Sequence, residues 1–449
     1  MSTLVVSPAV RPLVGSVPVP SDKSVGHRAL LFGAIADGTT HIEGFVPGGD
    51  NLSTADALRG MGVEIVIEGA TAIVKGVGLY GLAAPTASLD CGNSGTTMRL
   101  LSGLLAAQDF KCILHGDESL SRRPMMRVLG PLQSRGAIAY GTPHPTKPSE
   151  VTAPLSIGPL ASDSYLRSIE YESPVASAQV KSALLLSGLY AHGATVVREP
   201  HVSRDHTERM LHAMGAPLET FGTLVRLDPA GWDGKLRAQI LIVPGDISAA
   251  AFLLVAAQLV SGSRVTVRHV GTNPTRTGIL EILRDMHAGV HVEPKGEVGG
   301  EPVAEVHLHQ TPTLVGRSVG GETVTRAIDE VPIVCALAAR ASGTTRIRDA
   351  AELRVKESDR LATMATVLRA FGVKCEEVPD GLDIEGTDAP LRAAVVQSHG
   401  DHRIAMTGAV LGLVGDGPTR ILDAECITTS FPRFVGTLRA LGADVAVES

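Results

Sequence analysis

The sequence predicts an α/β or α+β fold in two domains, each assembled from three copies of one repeated unit. Three observations lead there. The chain has 449 residues, beyond the roughly 250–300 at which a single hydrophobic core stops growing. One pattern recurs six times along it. Within each copy, Ala/Leu-rich segments of about a dozen residues alternate with short β-branched runs, the periodicities of helix and strand.

The copies are legible in order. Each opens on a polar cluster, continues into a helix-like segment, turns at a glycine into a strand, and repeats the helix and strand once more. The first opens at Asp22 (SDKSVGHRALLFGAIADGTTHIEG, then NLSTADALRGMGVEIVIE) and the second at Asn93 (NSGTTMRLLSGLLAA). The third opens at Ser177 (SAQVKSALLLSGLYAHGATVV), and the fourth at Asp246 (GDISAAAFLLVAAQLVSGSRVTVRHV, then TRTGILEILRDMHAGVHVE). The fifth opens at Asp329 (DEVPIVCALAARASGTTRI) and the sixth at Asp401 (DHRIAMTGAVLGLVGDGPTRI). Spacings of about 70 to 84 residues are too long for an ordinary solenoid. Six units divide into three plus three, which places domains at 21–238 and at 239–449 plus 1–20. The second is then discontinuous, because the segment before the first copy pairs with the C-terminal half.

Composition excludes several classes. Net charge is −7, and aromatics make up 3% of residues, so a nucleic-acid groove with stacking platforms is disfavoured. The longest apolar stretch, residues 247–260, falls short of the roughly 18 residues a spanning helix needs and reads as a buried core helix. The N-terminal stretch has no basic region ahead of an apolar one and is broken by Pro12, Pro18 and Pro20, so no secretory signal is visible and a cytoplasmic protein is expected. The five cysteines (Cys91, Cys112, Cys335, Cys375, Cys426) are dispersed and paired in no ligand spacing; they read as reduced, buried small hydrophobes. No metal is expected: His206 and His212 stand six apart, and no HExxH occurs.

Charge locates the function. Six helix starts, each with unpaired N–H groups and about half a positive charge, favour anions. Basic residues gather at or near those starts: Lys23, Arg28, Arg99, Lys181 and Arg403, with Arg122, Arg123, Arg204, Arg354, Lys356 and Arg360 in or near the intervening loops. Any one of them alone reads as a solvated surface charge; their repetition at equivalent places in an acidic chain favours a local cationic cleft. Asp329 at a helix start is either an N-cap or a proton acceptor, and Glu357 either a salt-bridge partner or part of a carboxylate pair. The Gly-rich run at residues 92–97 fits neither a P-loop nor GxGxxG, and leaves a turn exposing N–H groups to an anion.

The motifs SDKSVGHRALL, LDCGNSGTTMRLL, DESLSRRP, RVKESDRL and GDHRIAM, in this order and spacing, closely resemble those of the 5-enolpyruvylshikimate-3-phosphate synthase family, over essentially the whole chain. SAQVKSA followed by SRDHTERML resembles the bacterial subclass that includes glyphosate-tolerant members. The resemblance implies two domains of three βαβαββ units each, an inverse α/β barrel-like arrangement closing over an interdomain active-site cleft. It implies transfer of the enolpyruvyl group of phosphoenolpyruvate to the 5-hydroxyl of shikimate 3-phosphate in aromatic amino-acid biosynthesis, with no cofactor, by a monomer, with glyphosate as inhibitor. Position by position, it implies that Lys23, Ser24, Arg28, Ser177, Gln179, Arg204, Asp329 and Lys356 bind shikimate 3-phosphate. Lys23, Gly95, Arg123, Gln179, Arg360 and Arg403 would bind phosphoenolpyruvate, and Asp329, Glu357 and Lys23 would carry the chemistry.

This chain departs from the family pattern at three places. Thr429 stands where many members have a lysine, Ala178 where others have a second serine, and Glu352 where others are neutral. Gly95, where tolerant members carry alanine, implies glyphosate sensitivity. The related peptidoglycan enolpyruvyl transferases usually carry a nucleophilic cysteine in the loop of the second copy. Residues 117–124 here contain none, which disfavours a UDP-sugar acceptor.

Overall fold

The computed structural model describes residues 2–160 and 164–448. These form two compact units: Lys23–Val243 with Val298–Gly300, and Met1–Asp22 with Pro244–Glu297 and Glu301–Ser449. Each contains three four-stranded sheets, and all six sheets share one plan: a parallel pair extended by two antiparallel strands. In the second repeat, Leu89–Asp90 runs parallel to Cys112–His115, which pairs antiparallel with Val151–Ile157, itself antiparallel to Ala139–Pro143. A strand, a helix, a strand, a helix and two strands in chain order produce this sheet.

Where the chain passes between units, the repeats exchange their leading strands. Val14–Pro18 precedes the first repeat's helix but pairs parallel with Arg264–Gly271 of the fourth. Ile240–Ile242 precedes the fourth repeat's helix but pairs parallel with Asp37–Glu43 of the first. The boundaries therefore fall at 22/23 and 243/244, instead of 20/21 and 238/239, because strand Ile240–Ile242 stays with the first repeat. The chain's first strand, Thr3–Val6, lies between Thr419–Leu422 and Val445–Glu448, and so completes the sixth sheet.

The first helix of each repeat is buried nearly all round: Lys23–Ala34, Gly95–Leu105, Ala178–Gly188, Ile247–Leu259, Val331–Ala338 and His402–Gly412. A helix apolar on every face belongs in the middle of a core, and ISAAAFLLVAAQL at 247–259 illustrates it. The second helices, such as Gly278–Asp285 and Phe434–Leu441, bury one face and cover the sheets from the side. Small residues let the central helices approach. A Cβ on Gly103 would lie 2.2 Å from the Ala183 carbonyl oxygen, so only glycine lets Gly95–Leu105 and Ala178–Gly188 pack this closely. That approach brings the N-terminal turns of these two helices together, where the side chains of the next section meet. Among the described residues, no helix is long and apolar enough to cross a membrane.

Candidate active site

In the unit that begins at Lys23, cations collect at helix starts. Lys23, the first residue of its helix, pairs with Asp50 at 2.9 Å while keeping about a fifth of its side chain exposed. Ser94 caps the second repeat's helix by accepting from the Thr97 N–H at 3.1 Å. Directly after it, a Cβ placed on Gly95 would lie 2.9 Å from Arg99 Nη1 and 3.2 Å from Arg123 Nη1. Two guanidiniums thus converge on a helix N-terminus at a residue with no side chain, which is a site for a small anion. Arg123 is oriented by a donation to Asn93 Oδ1 at 2.5 Å. Arg99 donates to Gln179 Oε1 at 2.5 Å, and Gln179 Nε2 donates to Thr96 Oγ1 at 2.9 Å, so Gln179 ties the starts of two helices together.

Ser177 stands at the N-cap of the third repeat's helix without spending its hydroxyl on the cap. Arg204 lies in the loop ahead of helix His206–Ala213. Arg28 is nearly fully buried, donating to Thr207 at 2.7 Å, Ser182 at 2.8 Å and the Ser24 carbonyl at 3.0 Å. Lys181, read from sequence as an anion contact, is instead buried and ion-paired at 2.7 Å with both Glu199 and Glu208. Burial opposes its charge, but the two carboxylates raise its pKa above the ordinary lysine value. Arg122 is an exposed partner of Glu118.

In the other unit, carboxylates and cations form one network around Arg360, which is 1% exposed. Its Nε donates to Asp401 at 2.8 Å, Nη2 to Glu357 at 2.7 Å, and Nη1 to Asp329 at 3.3 Å. Burial works against the guanidinium's charge, yet Asp401, Glu357 and Asp329 together push its pKa further up. Burial likewise opposes ionisation of Asp401, but Arg360 holds its carboxyl below the usual range. Asp401 also caps helix His402–Gly412 by accepting from the Arg403 N–H at 2.9 Å.

Asp329 is not an N-cap. Helix Val331–Ala338 starts after Glu330 with no side-chain cap bond. The Asp329 carboxylate instead faces Arg360 at 3.3 Å, Arg403 at 3.8 Å and Lys356 at 3.9 Å, and its carbonyl accepts from Arg403 Nη1 at 2.9 Å. Because Asp329 and Glu357 sit on the two terminal nitrogens of one guanidinium, they are adjacent carboxylates in a cationic setting, the arrangement that moves protons on an anionic substrate. Glu352 pairs with Lys356 at 3.7 Å, sharing it with Asp329. Arg354 turns away to Asp359 and Glu377, and Thr429 ends the short 3₁₀ helix Ala424–Thr429.

Asp50, Asn93, Arg276 and the hub role of Asp401 were not singled out from sequence. The aspartate immediately ahead of the sixth helix was the available signal for Asp401. Arg276, fully buried, bonds Asp22 at 2.6 Å and Asp246 at 2.9 Å, and nothing in its local sequence announces that. Elsewhere Glu293, Glu305 and His307 bring ligand atoms within 4.8 Å of one another. Lys295 is ion-paired there, to Glu293 at 2.5 Å and Glu305 at 3.8 Å.

Basic helix starts in one unit, and a cation-flanked carboxylate pair in the other, are the groups an enzyme of small anionic substrates uses. The comparisons agree. Residues 8–438 match the family model described as EPSP synthase (3-phosphoshikimate 1-carboxyvinyltransferase). The chain is 50% identical over 438 residues to the 3-phosphoshikimate 1-carboxyvinyltransferase of Geobacter sp. (strain M21), covering 98% of this chain and 99% of that one. It is 51% identical over 432 residues to that of Geobacter sulfurreducens, covering 95% and 96%. It superposes with a TM-score of 0.86 and 44% identity on the EPSP synthase of Acinetobacter baumannii, with 100% of both chains covered. This chain belongs to the EPSP synthase family. It transfers the enolpyruvyl group of phosphoenolpyruvate to shikimate 3-phosphate, a step of aromatic amino-acid biosynthesis.

Proposed function

We propose that the reaction draws on both clusters, with Asp329 and Glu357 as the proton-transfer pair and Lys23 as the cation that bridges the substrates. The observation that carries this is the Asp329 carboxylate held among Arg360, Lys356 and Arg403 with Glu357 beside it. Asp329 accepts the 5-hydroxyl proton as that oxygen attacks C2 of phosphoenolpyruvate, and Glu357, which enters the cycle as the carboxylic acid, gives its proton to C3; the proton on Asp329 returns to solvent after turnover. In the second step Glu357 takes a C3 proton back, the C–O bond to phosphate breaks, and the enol ether forms. Lys23 and Arg123 neutralise the phosphate that leaves.

Two phosphates and two carboxylates bring roughly five to six negative charges to the site. Ser24, Arg28, Ser177, Gln179, Arg204 and Lys356 take shikimate 3-phosphate. Gly95, Gln179, Arg123, Arg360 and Arg403 take phosphoenolpyruvate, the arginines being suited to a bidentate grip on carboxylate and phosphate. Glu352 offsets part of the Lys356 charge, and Thr429 supplies no cation, so the grip on phosphoenolpyruvate rests on the remaining basic groups. The protein works as a cytoplasmic monomer, and sedimentation at assay concentration checks its assembly state.

The test is phosphate release from phosphoenolpyruvate with shikimate 3-phosphate or UDP-N-acetylglucosamine as acceptor. Release only with shikimate 3-phosphate is expected; release with the UDP-sugar would reassign the acceptor.

Glyphosate is the expected inhibitor, competing with phosphoenolpyruvate. A methyl at residue 95 would stand 2.9 Å from Arg99 Nη1 and 3.2 Å from Arg123 Nη1, closer than carbon and nitrogen settle without a shift. Gly95→Ala is therefore expected to raise the glyphosate inhibition constant about tenfold or more, and the KM for phosphoenolpyruvate by a smaller factor, since the inhibitor is longer. Equal changes in both constants would show that the methyl acts only by displacing the arginines.

A further inference from the structure

Glu199 follows strand His192–Arg198 and is 4% exposed. Its backbone N–H is fixed to the Thr223 carbonyl at 3.0 Å. Its carboxylate accepts from four groups: the Ser177 N–H at 2.8 Å, the Ser203 hydroxyl at 2.8 Å, the Ser203 N–H at 3.4 Å, and Lys181 Nζ at 2.7 Å. Ser177 begins the third repeat's helix, two residues before Gln179, and Ser203 immediately precedes Arg204. One buried carboxylate thus pins two separate chain segments, and each carries residues assigned above to shikimate 3-phosphate, whose phosphate Ser177, Gln179 and Arg204 would hold by the family resemblance.

We infer that Glu199 is a positioning residue for recognition of the acceptor's phosphate, holding Ser177 and Arg204 in register, with Lys181 as its counter-ion. The inference rests on the assignment of Ser177, Gln179 and Arg204 to that phosphate.

A carboxylate beside a phosphate site is electrostatically adverse, and a buried ion pair contributes roughly nothing to stability relative to packed apolar residues. Its distinctive product is geometry. The Ser177 backbone is fixed from outside the helix, which leaves the Ser177 hydroxyl unspent on the cap, and the same oxygens fix the loop bearing Arg204. Lys181 offsets part of the Glu199 charge, being shared with Glu208 at 2.7 Å, so the ammonium belongs to this frame and not to the substrate.

The test is steady-state kinetics with each substrate varied, alongside thermal unfolding, for Glu199→Ala, Glu199→Gln, Ser203→Ala and Ser177→Ala. Glu199→Ala is expected to raise the KM for shikimate 3-phosphate about tenfold, the loss of one to two charge-assisted hydrogen bonds, with the KM for phosphoenolpyruvate within about twofold. Glu199→Gln, whose amide oxygen still accepts from Ser177, is expected to recover to within about threefold of wild type. Equal movement of both KM values, or no movement of either, overturns the inference. If Glu199→Ala does not fold, Ser203→Ala decides: a selective rise in the KM for shikimate 3-phosphate supports the inference, and an unchanged value overturns it. Ser177→Ala separates the two levels. If it leaves the KM for shikimate 3-phosphate unchanged, the phosphate assignment falls and the inference with it. If it raises that KM while Glu199→Ala and Ser203→Ala are silent, only the inference falls.

Discussion

Asp329→Asn is expected to lower kcat by about a hundredfold to ten-thousandfold while leaving the protein folded. Asparagine keeps the size of the side chain and an oxygen for Arg360, which stands 3.3 Å away, but it cannot accept the hydroxyl proton of the acceptor. Removing one negative charge among Arg360, Arg403 and Lys356 also makes the surroundings more positive. Both substrates are anions, so their KM values are expected to stay level or to fall. A loss of kcat with unchanged or tighter binding marks a group that acts in the transition state and not in the ground state. Single-turnover phosphate release checks this; a kcat within about threefold of wild type would remove Asp329 from the chemistry. Glu357→Gln is the companion. It is expected to slow exchange of solvent deuterium into the methylene of phosphoenolpyruvate in step with turnover, because its role lies at C3.

The contrast between Asp329 and Asp401 shows how far the sequence could be read. Both stand at the opening of a repeat, and position alone allowed either to be a cap. The structure gives the cap to Asp401, which accepts from the Arg403 N–H. Asp329 lies one residue outside the last position that could cap its helix, with Glu330 between. Local pattern carried the six repeats, because hydrophobic periodicity and glycine turns are short-range. It also carried the openings at 93, 177 and 401, which fall within two residues of the helices that begin at 95, 178 and 402. The expected pairing of the N-terminal segment with the C-terminal half is met by Val14–Pro18 against Arg264–Gly271, whereas the return of Ile240–Ile242 to the first repeat was not legible, since that strand directly precedes a helix of the other unit and pairing is a tertiary choice. Lys181 failed for the same reason: its partners Glu199 and Glu208 are distant in sequence, and only the fold reveals that its charge is already taken. The resemblance supplied the list of site residues, but not the network that Arg360 organises among Asp329, Glu357 and Asp401.

That network sets the second large effect. Arg360→Met is expected to cost about 3–5 kcal/mol of stability, because removing one member of a buried ionic cluster leaves the others uncompensated. It also removes activity, since Asp329 and Glu357 lose the guanidinium that fixes them. The pH dependence separates this from a simple packing defect. In the wild type, Arg360 depresses the Asp401 pKa. The stabilisation this provides is fully present above the ordinary aspartate value of about 3.9, and is lost only as pH falls through the lower folded value. Between pH 8 and 5 this pair therefore leaves wild-type stability level. In Arg360→Met the same carboxyl is buried without a cation, so its folded pKa rises above the unfolded one. The folded state then takes up protons first, and the variant gains stability as pH falls. Urea unfolding at pH 8 and pH 5 is expected to show the gap between variant and wild type shrinking at the lower pH. A gap that stays constant would mean that lost packing, and not an uncompensated Asp401, carries the cost. Arg360→Lys retains one charge but not the three-sided fork, and is expected to recover part of the stability with little of the turnover.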